Sequence, residues 1–318
     1  MINSVRNTVL SILNKNNYGY ISPSDFNLFA KQAQMEIFES YFSSYNKIIN
    51  MENARGAGTD YADLEQPIAE VLEVFLRNDF ILPFPTASGN IINRYYAPSD
   101  ITTGFGYYMF NKVLCYNGLL SAGTNTSVNS FQLINNTVNF VNLGVSVGDI
   151  VVNKNTYLSS TVSAVTATTL DLNDDIFLAT PNTYAVYSSV NVSEAEKVSV
   201  GKITSLVSSL LTTPSSTFPA YTINNEVVTI YPNSISGYGA VNVTYFRYPK
   251  DPKWTYISLA NGEPVFDQTQ VDYQDFELPL EDEFKLVLKI LQYCGLSIRE
   301  LEITQYGIAQ EQQNNAGQ

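Results

Sequence analysis

The stretch Tyr245–Trp254 reads YFRYPKDPKW and marks the place where a strand gives way to a rigid connection. Closely spaced aromatic residues up to Tyr248 are typical of a strand. Pro249 and Pro252 each fix φ and lack a backbone N–H, so neither continues the interior of a sheet. We therefore assign structural roles to both prolines and to Trp254, the one tryptophan of the chain.

An amphipathic pattern follows this connection. The sequence DFELP at 275–279 precedes apolar residues that recur every three or four positions, namely Phe284, Val287, Leu288, Leu291, Cys294, Ile298 and Leu301. Pro279 suits the start of a helix, and the acids at 281–283 suit its N-terminal dipole. The pattern predicts a closing helix of about six turns. Its apolar face either packs in the core of the chain or docks on a neighbouring subunit.

Elements upstream of this stretch are predicted from caps and periodicity. Apolar spacing predicts a helix over Ile2–Leu13. Ser22 as N-cap, Pro23 at the first position and Asp25 at the third predict a second helix. A further helix is expected near Pro67. A capping box at Ser193–Glu196 predicts a helix with Ile203, Leu206, Val207 and Leu210 facing inward.

Two regions read as β structure. Runs at 226–231 and 240–248 flank a Pro- and Gly-containing turn and predict a hairpin. Residues 121–190 contain short alternating runs separated by turn residues, which is typical of a small barrel or sandwich. The sequence therefore predicts an α+β fold: a helical core of N-terminal helices plus the long C-terminal helix, a β-hairpin or sheet region, and a small all-β insertion. Residues 1–120 and 191–318 would form the discontinuous core, and 121–190 the insertion.

The composition excludes several kinds of site. The 318 residues include no histidine, so no Ser-His-Asp triad and no imidazole metal site can form. We expect no catalytic activity, cofactor or metal. A net charge of −13 disfavours tight non-specific DNA binding, although DNA can pass an acidic wall without adhering to it. Arg247, Lys250 and Lys253 beside aromatic residues either contact nucleic acid or stack on those rings.

The composition also bears on the surface of the protein and on the cellular compartment in which it is made. Only 15% of residues are charged, while tyrosine occurs 22 times, which favours a surface covered by partners. Cys115 and Cys294 are predicted to be buried thiols in a reducing compartment. No apolar run approaches the roughly 18 residues of a membrane span, so no membrane partner is expected.

Several motifs, in order, resemble the neck or ring proteins of short-tailed bacteriophages, above all those of crAss-like phages of Bacteroidales. They are the opening helix pair, residues 198–211 followed by Pro214-Ser, Pro219-Ala-Tyr and Ile230-Tyr-Pro, and residues 243–254 with FELP at 276–279 and KILQYCG at 289–295. These motifs cover about half of the chain. The insertion at 121–190 resembles small barrels of many phage proteins only generically.

This resemblance implies a structural virion protein in the phage neck, assembled in the bacterial host cytoplasm. Such proteins form a ring, usually of twelve copies, that connects the portal to the tail and lines the ejection channel. The implied partners are the portal protein, further neck-ring or tail proteins, other copies of the chain, and genomic DNA that passes without specific binding. By analogy, docking would fall to Phe284, Leu288, Leu291 and Arg299 of the closing helix or to the residues after it.

Two other classes stay open from sequence. A receptor- or glycan-binding tail protein would use Tyr-rich strands as its binding surface and would form a trimer. A carboxylate-based glycosidase would draw on Glu281–Glu283, although a helix N-terminus explains those acids better.

Overall fold

The computed structural model describes residues 1–14, 21–55, 65–84, 93–260, 262–298 and 312. Within these residues lie five α-helices and a single 3-10 turn at Leu280–Asp282. The helices are α1 (Ile2–Asn14), α2 (Pro23–Arg55), α3 (Glu65–Glu73), α4 (Val200–Ser208) and α5 (Glu283–Ile298). The described strands number seventeen: β1 (Leu76–Phe80), β2 (Arg94–Tyr96), β3 (Tyr107–Tyr116), β4 (Leu119–Thr124), β5 (Ser127–Asn129), β6 (Gln132–Ile134), β7 (Ile150–Asn153), β8 (Leu158–Val165), β9 (Thr169–Leu172), β10 (Thr183–Tyr187), β11 (Val192–Glu194), β12 (Glu196–Lys197), β13 (Ala220–Asn224), β14 (Val227–Tyr231), β15 (Val241–Arg247), β16 (Tyr256–Ser258) and β17 (Pro264–Phe266).

The chain forms two compact units. The first contains Met1–Phe75 and Pro249–Gln318, and the second contains Leu76–Tyr248. The boundary falls inside the stretch at 245–254, immediately before Pro249. The division of 121–190 from the rest of the chain, which we derived from sequence, stays a prediction.

Helices and one small hairpin build the first unit. α5 packs against α1 and α2, and α2 also packs against α3. The predicted cap of α2 is confirmed: the Asp25 N–H donates to Ser22 Oγ at 3.2 Å, and the Ser22 hydroxyl donates to Asp25 Oδ2 at 2.6 Å. Lys289 Nζ lies 2.7 Å from Glu36 Oε1 and links α5 to α2. Strands β16 and β17 pair antiparallel.

Three sheets build the second unit. Their strand orders are β1-β15-β3-β11, β12-β13-β14-β2 and β4-β10-β7-β8-β9-β6-β5. Every recorded pairing in them is antiparallel except β12 with β13. The seven-stranded sheet encloses its own apolar cluster, which includes Phe140, Val151 and Tyr184. Its outer residues Val152 and Tyr187 join the cluster of the other two sheets.

The predicted fold class is wrong. Four sheets with seventeen strands dominate the described chain, and 26% of the chain is helical. The predicted long C-terminal helix is the 16-residue α5, preceded by a separate 3-10 turn. Helix periodicity is visible in any short window, whereas β1, β2, β3 and β15 find their partners far away in sequence. Their pairing was therefore invisible to local patterns.

Two local predictions are also wrong. The runs at 226–231 and 240–248 do not pair as a hairpin, because β14 lies between β13 and β2 whereas β15 lies between β1 and β3. The capping box at Ser193–Glu196 opens no helix: Ser193 and Glu194 belong to β11, Glu196 belongs to β12, and α4 begins at Val200 with Ser199 as N-cap. Pairing with β3 and β13 outweighs the local capping preference there. Ile203 is buried as expected, whereas Val207 and Leu210, also expected to face inward, are exposed.

Among the described residues, no helix has both the length and the apolar character to cross a bilayer.

Candidate docking surface

An acid-rimmed apolar notch lies in the first unit. It has a volume of about 490 Å³ and is lined by residues of α3 and of the segment before α5, namely Glu70, Val71, Val74, Glu277, Leu278, Pro279 and Glu281. Leu278 is buried, whereas Val74 is exposed. An apolar floor with a carboxylate rim favours a partner that offers an apolar side chain flanked by Lys or Arg.

The turn at Leu280–Asp282 is held rigidly beside this notch. Pro279 has φ −58°, and the Asp282 N–H donates to the Pro279 carbonyl at 3.1 Å. The Asp282 carboxylate is buried; it accepts a hydrogen bond from the Tyr41 hydroxyl and lies 3.0 Å from Lys285 Nζ. Burial, and then the Asp282 carboxylate, raise the pKa of Tyr41. The Tyr41 hydroxyl therefore stays protonated and keeps donating.

Two large apolar side chains are exposed here, one in this turn and one in the first turn of α5. Leu280 is 74% exposed and Phe284 is 53% exposed. We call these two residues the 280–284 surface; Leu280 lies between Pro279 and Glu281, which line the notch together with the exposed Val74. Our sequence reasoning missed Leu280 and Val74. Leu280 lies four residues before Phe284 and eight before the buried Leu288, so its spacing does not indicate that it is exposed.

The residues expected to dock are separated by the structure. Phe284 belongs to the 280–284 surface. Leu288 and Leu291 are buried inside the first unit and contribute to its core. Arg299 lies outside the described residues. The docking role of these four residues stays a prediction. Among the three that the structure describes, Phe284 is the residue that a partner can contact without a rearrangement of the unit.

The residues assigned structural roles lie in the first unit. Pro249, Pro252 and Trp254 are buried, and Pro279 is half-buried at the start of the 3-10 turn. In the second unit, Arg247 is buried, with its guanidinium carbon 4.8 Å from the centre of the Phe105 ring. Of the two alternatives predicted for Arg247, nucleic-acid contact or stacking on an aromatic ring, the structure therefore favours stacking.

A second exposed apolar segment lies in the second unit, just after α4. Leu210 and Leu211 are 98% and 96% exposed, and Phe218 is also exposed. Hydrogen bonds hold the segment: the Thr212 hydroxyl donates to the Leu206 carbonyl at 3.4 Å, and the Ser215 N–H donates to the Phe218 carbonyl at 3.1 Å. We call residues 210–218 the 210–218 segment.

No group of three or more Cys, Asp or Glu in the described parts of the chain is arranged to hold a metal ion. The chain matches no protein-family model. A search of curated proteins finds none with significant sequence similarity.

Proposed function

We propose that this chain is a structural virion protein that forms an oligomeric ring in the neck of a short-tailed bacteriophage. The ring connects the portal to the tail and lines the ejection channel. Its partners are the portal protein, further neck-ring or tail proteins, and other copies of the chain. The starting point is the sequence resemblance to neck proteins of crAss-like phages.

The observation that carries the proposal is the presence of two separate exposed apolar surfaces. The 280–284 surface belongs to the first unit, and the 210–218 segment belongs to the second. Large apolar side chains held rigidly in solvent mark interaction sites when they occur in groups. Two different surfaces suit a ring subunit that contacts both the portal and a neighbouring copy of the chain, because these two contacts need different faces.

Charge supports the same function. The chain carries 30 acidic and 17 basic residues. An acidic channel wall repels the phosphate backbone and releases no counterions, so it lets DNA pass without binding it.

Particle mass tests the proposal. The full chain is measured by mass photometry alone and after mixing with the portal assembly of its parent phage. We expect a portal that carries about twelve added copies, the number that the resemblance to neck-ring proteins implies, arranged as a closed ring. A stable trimer without affinity for the portal would overturn the proposal and favour the receptor- or glycan-binding class.

Surface variants locate the contact. Leu280→Asp combined with Phe284→Asp should abolish portal binding and leave the melting temperature unchanged, because both side chains are already exposed. Val271→Asp is the matched control, since Val271 is an exposed apolar residue of the same unit outside the notch. Equal portal binding by the double variant and the control would exclude the 280–284 surface as the docking site.

A further inference from the structure

The second unit contains an open cavity that the ring proposal does not use. Its volume is about 710 Å³, within the range of about 300–1,000 Å³ typical of small-molecule sites. Its walls include Asn78–Phe80 of β1 and residues 156–161 at the turn between β7 and β8. Neither Lys nor Arg occurs among the described residues that line it, whereas Asp79 and Asp174 both do. The cavity therefore disfavours anionic ligands.

An aromatic side chain is fixed at this cavity by an unusual backbone. Tyr157 has φ +58°, a conformation uncommon for a residue other than glycine. Asn153 fixes the turn, because its side-chain oxygen accepts the Asn155 and Thr156 N–H groups at 2.9 and 3.3 Å. The Tyr238 hydroxyl donates to the Tyr157 carbonyl at 2.6 Å. Strained residues held this firmly concentrate at ligand sites.

The ring of Tyr157 is available to a ligand. It is 47% exposed and meets the Tyr238 ring edge-on, with centroids 5.2 Å apart. Phe80 extends the aromatic wall, with its centroid 6.3 Å from that of Tyr238. One side of the cavity is thus an aromatic platform with its geometry set before any ligand binds.

One buried acceptor without a partner and two carboxylates with remaining acceptor capacity line the same cavity. Asn242 is only 5% exposed, and its Oδ1 has no hydrogen-bond partner among the described residues. Buried polar atoms nearly always have a partner, so an orphaned acceptor in a cavity wall indicates a missing donor. Asp79 and Asp174 each accept one internal hydrogen bond on Oδ2, from Tyr245 at 2.9 Å and Ser160 at 3.2 Å.

We propose that this cavity binds a neutral oligosaccharide. Sugar hydroxyls would donate to Asn242 Oδ1 and to the carboxylates of Asp79 and Asp174, and a sugar ring would pack on Tyr157. The hydroxyls of Thr156 and Ser159, which make no hydrogen bond within the described part of the chain, add reciprocal donors and acceptors. A cationic side chain would need the carboxylates alone and would leave the aromatic platform and these hydroxyls unused. The site does not depend on the ring proposal.

Saturation-transfer NMR on the full chain tests this site. The probes are hexasaccharides of glucose (α- and β-linked), mannose, xylose and N-acetylglucosamine, with sialyllactose as an acidic comparison. We expect saturable binding of at least one neutral probe and none of sialyllactose. Absence of binding to every neutral probe at about 5 mM, where even weak sites are occupied, would overturn the proposal.

Two variants and a control tie binding to the cavity. Tyr157→Asn keeps a residue that tolerates positive φ and removes the ring, so affinity should fall at least about tenfold. Asn242→Leu should weaken binding similarly without lowering the melting temperature, since no internal hydrogen bond is lost. Phe131→Asn is the matched control: Phe131 is also exposed at φ +57°, but it lies outside the cavity. Unchanged affinity in both cavity variants would refute the site.

Discussion

The guanidinium carbon of Arg6 lies 3.8 Å from the centroid of the Trp254 ring. The indole N–H donates to Asn3 Oδ1 at 3.1 Å, and the Trp254 backbone N–H donates to Asn27 Oδ1 at 2.8 Å. One buried side chain thus joins α1 and α2 to the connection that follows Pro252. Trp254 organises the first unit because it combines a large buried apolar area with an indole N–H that donates to the half-buried Asn3.

Replacing Trp254 should destabilise the first unit strongly. Trp254→Ala should lower the free energy of unfolding by about 3–5 kcal/mol, through lost burial and the resulting cavity. Trp254→Phe should cost less, because it keeps an aromatic ring in the core. It still leaves Asn3 Oδ1 without its indole donor, so some stability is lost. Urea unfolding followed by circular dichroism measures both. Ile257→Ala, at an exposed position of the same unit, should stay within about 0.5 kcal/mol of the parent chain.

Leu288 and Phe284 should behave oppositely although they lie one helical turn apart. Leu288→Ala should cost about 2–5 kcal/mol, since it empties space in the core of the first unit. Phe284→Ala should change stability by less than about 0.5 kcal/mol, because the ring is largely in solvent. Thermal melting of both variants separates the roles. A large loss of stability in Phe284→Ala would show that this ring supports the fold.

Gly239 and Gly237 have nearly the same backbone conformation but differ in the space around them, so they can be compared directly. Both have positive φ, +89° and +88°. A Cβ at Gly239 would lie 2.7 Å from Val152 Cγ1 and 2.9 Å from Tyr187 Cε2, whereas a Cβ at Gly237 meets nothing within 4 Å. Gly237→Ala should cost about 1–2 kcal/mol from the left-handed conformation alone.

Gly239→Ala should cost that amount and a further 1–3 kcal/mol or so, because Val152 and Tyr187 must move in a packed core. The difference between the two variants, measured by urea unfolding, isolates the close approach of this turn to the seven-stranded sheet. Equal losses of unfolding free energy in both variants would show that Val152 and Tyr187 can move aside at no measurable cost.

From the two buried thiols we expect a loss of stability at alkaline pH. Burial raises the pKa of Cys115 and of Cys294 from 9.0 to about 12. Below pH 9.0 both thiols are protonated in the folded and the unfolded chain, so their contribution to stability is complete. As the pH rises toward 12, only the unfolded chain loses these protons, so the unfolded state is favoured.

The slope should reach about 1.4 kcal/mol per pH unit for each thiol in this window. Thermal melts across the window measure it, and Cys294→Ala should reduce the slope. A thiol-specific chromogenic reagent at about pH 8 should leave both cysteines unmodified until urea is added. Rapid modification of the native chain would contradict their burial.

Local patterns predicted the elements whose causes are local. The cap formed by Ser22, Pro23 and Asp25 starts α2 at the expected residue because capping depends on atoms within one turn. Buried thiols at Cys115 and Cys294 followed from their apolar neighbours in sequence. The stripe through Leu288 and Leu291 identified a helix face, and the structure places that face in the core of the first unit.

The candidate sites depended on contacts that no local pattern contains. Asn242, Asp79 and Tyr157 line one cavity although they come from three distant segments. The exposed Leu280 lies in a turn whose Asp282 accepts a hydrogen bond from Tyr41, 241 residues away in sequence. Such neighbours are set by chain topology and not by residue spacing.

The sequence by itself determined the absence of histidine chemistry, the acidic charge, the Ser22 cap of α2 and the apolar periodicity of α5, because each is a property of composition or of a few adjacent residues. Only the tertiary structure decided that β14 and β15 lie in different sheets and which face of α5 is covered. Strand partners and burial are long-range, and their free energy comes from surfaces that meet only when the whole chain has folded.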